Sequence, residues 1–415
     1  MKKTQGIRNY ILAGLLLVLP TVVMAQVSLG AGTARPDATF ALQNGDRVVF
    51  VGNSLFENEL LYGYLELALT TRWPDRQVTF RNLGWTGDTV FGEARSYFTN
   101  PPTPYDLLLK QITEAKPTVV FVAYGGIEAQ KGQEGLPEFV KGLDSLLDTL
   151  SKLGARTVLL SPIPLFSANS AETNSPRNDM LAQYSDEIAR RAAAKGALFI
   201  DVFKPLKELV KTVALSDNGF HLNETGYYQL AGLLDKQLGG ALRSQSVSIA
   251  VPKKGTVTSE TAKILPSPSE GSIVQFEMEN AYLPLPAPAN SASQSIDSRL
   301  IKINGLKKGF YTLKTNGLEI ASASADQWAK GVVVRQGPEF TEAEQLREMI
   351  VEKNKVFFHQ YRPQNRTYII GFRSYEQGRH AKGLEDLGLI ITWLEGQIAQ
   401  HRMPKSSVYQ LTQPN

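Results

Sequence analysis

The run Arg47-Val48-Val49-Phe50-Val51-Gly52-Asn53-Ser54 decides the fold. Its first five residues, mostly β-branched or aromatic, read as a short strand, and Gly-Asn-Ser then turns the chain toward a helix. The same pattern recurs downstream. Gln77 to Arg81, Thr118 to Ala123, Arg156 to Leu160 and Ala197 to Val202 are further strand candidates, and amphipathic stretches such as Leu136 to Leu153 and Met180 to Lys195 lie between them. Strands alternating with helices predict an α/β unit over residues 46–243, with a five-stranded parallel sheet wrapped by helices. In such a sheet the functional loops leave the carboxyl ends of the strands.

Outward from that unit the chain changes character. Pro and Ser become frequent from Pro252 to Ser272 and again from Pro284 to Ser295, so 244–271 reads as a linker and 272–336 as a small β-rich module. Arg299 to Asn304, Phe310 to Thr315 and Leu318 to Ala321 read as antiparallel strands, with a tight hairpin at Asn316-Gly317. Thr341 and Glu344 form a capping-box signature ahead of a helix from Glu342 to about Phe358. A second helical pattern runs from about Tyr375 to Gln400, so 337–415 reads as a helical pair.

The 415 residues carry 44 Lys+Arg against 40 Asp+Glu and no Cys, which excludes thiolate metal sites and thiol catalysis. The first 25 residues hold Lys2, Lys3 and Arg8 and no acid. Without those three, 41 basic residues face 40 acidic ones, and a nearly neutral body has no phosphate-tracking surface, so no nucleic-acid partner is expected. The basic start, the apolar run Ile11 to Met24 interrupted by Pro20, and the small residues Val23 and Ala25 predict a cleavable secretory signal over 1–25. The mature chain then starts at Gln26 with a flexible stretch to residue 45, is secreted or periplasmic, and has no stable membrane insertion.

There is no G-x-S-x-G elbow, no phosphate-binding Gly-rich loop and no H-E-x-x-H. Glu376 and His380 share a helix face, and a solvated pair accounts for them. What remains is a set of loop residues. Ser54 sits on the first strand-to-helix turn, where a helix N-terminus supports a developing oxyanion. Asn82-Leu83-Gly84-Trp85 ends the second strand, where Gly84 allows close backbone approach to a substrate. Ser216-Asp217-Asn218-Gly219-Phe220-His221-Leu222-Asn223 places an acid and a histidine just before a helix. A serine hydroxyl needs an imidazole to take its proton, and the imidazole needs a carboxylate to fix its tautomer, so these types form a minimal acyl-transfer set. Each also has a plain structural use: Ser54 as an N-cap, Asp217 as a turn former, His221 as a polar residue bonded to backbone.

Together these residues resemble the SGNH/GDSL hydrolase family over about Asp46 to Arg243. Gly52-Asn53-Ser54 is similar to its G-D-S block with Asn for Asp, Asn82-Leu83-Gly84 to its glycine block, and Asp217 to His221 to its D-x-x-H block. The resemblance implies a flavodoxin-like three-layer α/β/α sandwich and a serine ester hydrolase needing no metal or organic cofactor. Ser54 would be the nucleophile and His221 the general base, with the Ser54 and Gly84 backbone N–H groups as oxyanion donors. In the family the acid sits three residues before the histidine. That position is the uncharged Asn218 here, so Asp217 is assigned as the orienting acid.

A second departure is Ile127 in Tyr124-Gly125-Gly126-Ile127-Glu128, where the family has an Asn that completes the oxyanion hole. Losing such a donor costs about 3 kcal/mol of transition-state stabilisation. Three readings follow: a slow esterase using the backbone donors, recruitment of Asn82 or Gln130, or a binding site without catalysis. Residual or rerouted activity is the preferred one, on a small-molecule or glycan ester, with acetyl as the acyl group. The run His359 to Tyr368 resembles, loosely, the extension of some large secreted bacterial members of the family.

Overall fold

The computed structural model describes residues 40–95, 103–166, 175–239, 244–266, 272–289, 296–362 and 381–413. The expected signal peptide, the Glu376 and His380 pair and most of the His359 to Tyr368 run lie outside the described residues.

The first part of the chain runs β1 (Arg47–Gly52), α1 (Ser54–Tyr62), α2 (Tyr64–Arg72), β2 (Thr79–Asn82), α3 (Pro104–Ala115), β3 (Val119–Ala123) and α4 (Gly132–Lys152). It continues with β4 (Arg156–Leu160), α5 (Pro176–Lys195), β5 (Leu198–Ile200), α6 (Phe203–Leu209) and α7 (Glu224–Gln237). The five strands form one parallel sheet in the order β2-β1-β3-β4-β5. This is the five-stranded parallel α/β sheet expected from the sequence. All five residues of β3, Val119 to Ala123, are buried, as a strand covered on both faces must be. One apolar cluster, including Phe50, Phe121 and Leu230, lies on one side of the sheet, and another, including Val49, Val122 and Leu146, on the other. The strand order reverses direction between β1 and β3, which opens a crevice at their carboxyl ends. Ser54 and Ile127 flank that crevice.

The remainder is β6 (Ser244–Ala250), β7 (Thr258–Ser259), β8 (Lys263–Leu265), β9 (Ser272–Met278), β10 (Ser298–Asn304), β11 (Phe310–Thr315), β12 (Leu318–Ser324), α8 (Ala325–Lys330), β13 (Val332–Val334), α9 (Pro338–Tyr361), α10 (Ala381–His401) and β14 (Ser407–Thr412). Two sheets, β13-β10-β6-β7 and β12-β11-β14-β9-β8, enclose a third core that includes Phe276, Ile301, Trp328 and Tyr409.

Several expectations are corrected here. Residues 244–266 are not a bare linker: they supply β6, β7 and β8, whose alternating burial was masked in the sequence by Ser and Pro. Arg299 to Asn304 pairs parallel with β6 and antiparallel with β13, in a different sheet from β11 and β12. The β11–β12 hairpin is as expected, with Asn316 and Gly317 both at positive φ (48° and 80°), the conformation its tight turn demands. Thr341 does not cap α9. The helix starts earlier, at Pro338 after Gly337, because Pro tolerates the first helical position; Thr341 Oγ1 donates back to Gly337 O at 3.3 Å and Glu344 pairs with Arg347. A full capping box occurs instead at Ser324 and Gln327 of α8.

The helical pair packs on the α/β unit. Lys353 of α9 is fully buried, and its Nζ donates to Glu66 Oε1 and Oε2 of α2 at 2.6 and 2.8 Å, while Asn354 Nδ2 donates to Oε2 at 3.0 Å. Burial pulls the Lys353 ammonium below its usual range and the Glu66 carboxylate opposes that pull. Removing one member of such a pair leaves a buried charge without water or an opposite charge. Lys353→Met is expected to destabilise the protein by about 3–5 kcal/mol in urea titrations, and Lys353→Met with Glu66→Leu to recover most of the loss. Equal stability of the single variant and the parent would show that the pair does not hold α9 in place.

Candidate active site

The carboxyl end of β1 is built for close approach. A Cβ on Gly52 would lie 2.5 Å from Ala123 O of β3, so only glycine lets the two strands come together there. Asn53, not Ser54, caps α1: its Oδ1 accepts from Leu55 N at 3.1 Å. The plain reading of Ser54 as an N-cap is therefore corrected. Ser54 is the first helical residue, half-buried, and its hydroxyl has no hydrogen-bond partner among the described residues.

The loop after β2 departs from expectation at Gly84. Its N–H donates to Asn82 Oδ1 at 2.9 Å, and Asn82 Nδ2 donates to Phe56 O at 2.5 Å. A Cβ on Gly84 would fall 2.2 Å from Glu57 N, so this glycine admits the first turn of α1 and not a substrate. Gly84 is thus removed as an oxyanion donor, and Asn82 is committed to the same contact. The next turn offers a replacement that the sequence reading missed. Asp88 N donates to Trp85 O at 3.0 Å, closing a turn in which Gly87 is exposed at φ 79°. The Gly87 N–H has no partner among the described residues, and a Cβ there would meet nothing within 4 Å. The turn is tied to α1 by a hydrogen bond from Thr86 N to Glu57 Oε2, one helical turn beyond Ser54. The signal in the sequence was the Thr86-Gly87-Asp88 run, which begins four residues after Asn82.

Two buried carboxylates fasten this loop to the end of β3. Asp88 Oδ2 accepts from Arg95 Nε at 2.8 Å and from Tyr124 OH at 2.9 Å, with Asp88 and Arg95 both fully buried. Glu128 Oε1 accepts from Val90 N at 2.9 Å and Oε2 from Gly125 N at 2.8 Å. Burial pushes the Glu128 carboxyl up to about 7, against the pull of those backbone N–H groups. Ile127 begins this turn with a half-buried side chain that donates nothing.

On the far rim, α7 is capped by Asn223, and Tyr227 OH donates to Leu55 O at 2.6 Å, which draws the His221 loop toward the start of α1. The structure does not bring Asp217 to His221. Asp217 Oδ1 accepts from Asn223 Nδ2 at 2.8 Å, while Asn218 Nδ2 lies 3.3 Å from His221 Nδ1. Asn218 Oδ1 accepts from Phe220 N and His221 N at 2.9 and 2.8 Å, which fixes the amide with its NH2 toward the ring. A donor facing Nδ1 requires Nδ1 to accept, so a neutral His221 carries its proton on Nε2. No hydrogen bond joins Ser54 Oγ to His221 among the described residues. A cavity of about 510 Å³ opens beside the site, lined in part by Gly126, Gln130, Leu165, Arg177, Met180 and Phe220. Phe220, next to His221, is 57% exposed and offers a flat apolar surface there.

The GDSL-like lipase/acylhydrolase family model matches residues 50–229. Over that segment the chain is similar to the family. The expectation of a serine esterase of SGNH/GDSL type holds at the level of the family. The fold is shared with a gut microbial diltiazem-metabolizing enzyme, at 19% identity and TM-score 0.70 over 91% of this chain and 99% of that one. An acetylxylan esterase from Geobacillus stearothermophilus matches at 19% identity and TM-score 0.40, over 49% of this chain and 98% of its own. No curated protein matches the sequence. Among the described residues no helix is long and apolar enough to cross a membrane, and no cluster of His, Asp and Glu fits a metal ion.

Two expectations follow from the geometry. A Glu128 carboxyl that binds its proton more tightly folded than unfolded contributes stability fully present below about pH 4.5 and lost as pH rises through about 7. The unfolding midpoint is expected to fall between about pH 5 and pH 8, and Glu128→Gln to flatten that fall in part, because buried Glu59 is shifted upward too. An identical pH slope in the variant would remove Glu128 from the account. Second, Asn218→Asp puts an acceptor against Nδ1 and reverses the imidazole tautomer. Aryl-acetate turnover is expected to rise by roughly 10- to 1,000-fold, the wrong tautomer being worth up to about 10⁴ elsewhere. Unchanged turnover would separate Asn218 from catalysis.

Proposed function

We propose that the protein is an exported ester hydrolase that removes an acyl group, with acetyl the first choice, from a carbohydrate or other small-molecule ester. The observation that carries the reading is the Ser54 hydroxyl: without a hydrogen-bond partner among the described residues, at the first residue of α1, at the crevice between β1 and β3, with Asn53 taking over the capping role. Ser54 Oγ attacks the ester carbonyl and His221 Nε2 takes its proton from the less populated tautomer, in which the ring carries its own proton on Nδ1, then returns it to the leaving alcohol. The N–H groups of Ser54 and Gly87 receive the oxyanion. Asn218 occupies the orienting position beside the imidazole, and Asp217 supplies negative charge from the same loop without bonding to the ring. Water then attacks the acyl-serine in the second half of the cycle, so no metal or organic cofactor is called for. Export rests on the N-terminal signal pattern.

Two observations favour a second reading, a carbohydrate-binding protein that keeps the fold without the chemistry. Ile127 contributes no oxyanion donor, and Asn218 holds the imidazole in the tautomer that cannot accept the serine proton. A serine-reactive fluorophosphonate separates the readings. A covalent adduct is expected on the parent protein and not on Ser54→Ala, with acetate released from at least one member of a panel of acetylated glycans. Ile127→Asn is expected to raise aryl-acetate turnover by roughly 100- to 1,000-fold. An unlabelled parent whose turnover stays at background even in Ile127→Asn would leave the binding reading in place.

A further inference from the structure

The last turn of α9 reaches the loop that holds Gly87. Tyr361 OH donates to Gly84 O at 2.8 Å, and the Arg362 guanidinium lies 3.8 Å from the centre of the Trp85 ring. Arg362 Nη1 also donates to Glu57 Oε1 at 3.0 Å. The other oxygen of that carboxylate, Oε2, accepts from Thr86 N. From the protein interior, the Arg95 guanidinium lies 5.1 Å from the same Trp85 ring. The Trp85–Asp88 turn is therefore held between two guanidiniums and hung from Glu57 by Thr86. Gly87 is the residue of that turn left free.

We propose that Arg362 is a positioning residue for the esterase site, fixing the Trp85–Asp88 turn and with it the direction of the Gly87 N–H. The C-terminal helical segment then completes the site instead of only packing on it. This rests on the esterase reading above. Docking of α9 does not require Arg362, because the buried Lys353 and Glu66 pair and the Arg347 hydrogen bond to Tyr62 O already hold the helix. Arg362 and Glu57 keep 27% and 17% of their side-chain surface exposed, so water screens the pair in part and it adds less to stability than the fully buried Lys353 and Glu66 pair. What the pair does supply is geometry: one carboxylate receives the guanidinium on one oxygen and the loop amide on the other. A small displacement of an oxyanion donor is enough to lose much of the rate.

The test uses the full chain with Arg362→Ala, Arg362→Lys and Glu57→Gln, followed by p-nitrophenyl acetate turnover, thermal unfolding, and amide hydrogen exchange of residues 84–88. For Arg362→Ala, kcat is expected to fall roughly 10- to 100-fold, with KM changed by less than about threefold and the unfolding midpoint unmoved. Exchange of the 84–88 amides is expected to quicken. Arg362→Lys is expected to recover part of kcat, since an ammonium keeps the Glu57 pair and loses the planar stack on Trp85. Glu57→Gln is expected to follow Arg362→Ala. Parent kcat together with parent exchange rates in Arg362→Ala would overturn the proposal. If the parent shows no Ser54-dependent turnover, the esterase reading fails on its own, and exchange at 84–88 alone decides whether Arg362 positions the turn: quickened supports it, unchanged overturns it.

Discussion

A guanidinium with no access to water has to find its partners inside the protein, and each of the three nitrogens of Arg95 does. Nε meets Asp88 at 2.8 Å, one terminal nitrogen meets Gln111 Oε1 at 2.6 Å and the other meets Leu83 O at 2.7 Å. Stripping water from such a charge costs several kcal/mol, offset only when every donor is met in good geometry. The consequence is rigidity. Asp88 can balance Arg95 only if the loop after β2 folds back beneath Trp85, and Tyr124 can reach Asp88 only if β3 ends where it does. The two loops that border the Ser54 crevice are thus placed by one buried ion pair whose own role is not chemical. The Glu128 carboxylate repeats the device with backbone N–H groups from both loops.

The same logic runs through the C-terminal part. β14 lies between β9 and β11, so the chain leaves the β module, sends α9 and α10 across the α/β unit, and returns to the module's sheet. An excursion closed at both ends holds its helices against the surface they cross. Arg347 of α9 illustrates the depth of contact, with its guanidinium 4.7 Å from the Tyr64 ring, one nitrogen on Tyr62 O and Glu344 and Glu224 alongside. Tyr62 and Tyr227 stack at 4.9 Å on the adjoining surface, linking α1 to the helix that follows His221. Both loops that carry site residues therefore feel the position of α9, one through Trp85 and the other through α7.

What could be read from the sequence was what repeats locally. Buried parallel strands are short apolar runs, so β1 to β5 were visible, and the hairpin at Asn316-Gly317 followed from two residues that tolerate positive φ. The position of Ser54 followed from the strand before it. What escaped depends on contacts distant in the chain. Gly84 and Gly87 are three residues apart, and nothing local says that the first is pressed against Phe56 and Glu57 while the second stands clear. Charge arithmetic chose Asp217 over Asn218, whereas hydrogen-bond geometry places Asn218 beside the ring because two backbone N–H groups claim its oxygen. Lys353 and Glu66 are far apart in sequence and each alone reads as a surface residue.

Asn218 also shows how the loop before His221 keeps its path with an amide where the family resemblance puts an acid. Its oxygen satisfies Phe220 N and His221 N as either oxygen of an aspartate would, and Ser216 Oγ still receives Gly219 N at 3.0 Å, so the loop keeps its path. Only the atom facing Nδ1 differs, and that atom decides which ring nitrogen is free to take a proton. Ile127 is a substitution of the same kind, since the turn it begins is held by Glu128 and not by its own side chain. On the esterase reading both positions bear on charge that develops in the transition state, and neither residue lines the cavity beside Gly126 and Phe220. On the esterase reading, the residues that line the cavity and the residues that set the rate are therefore different ones.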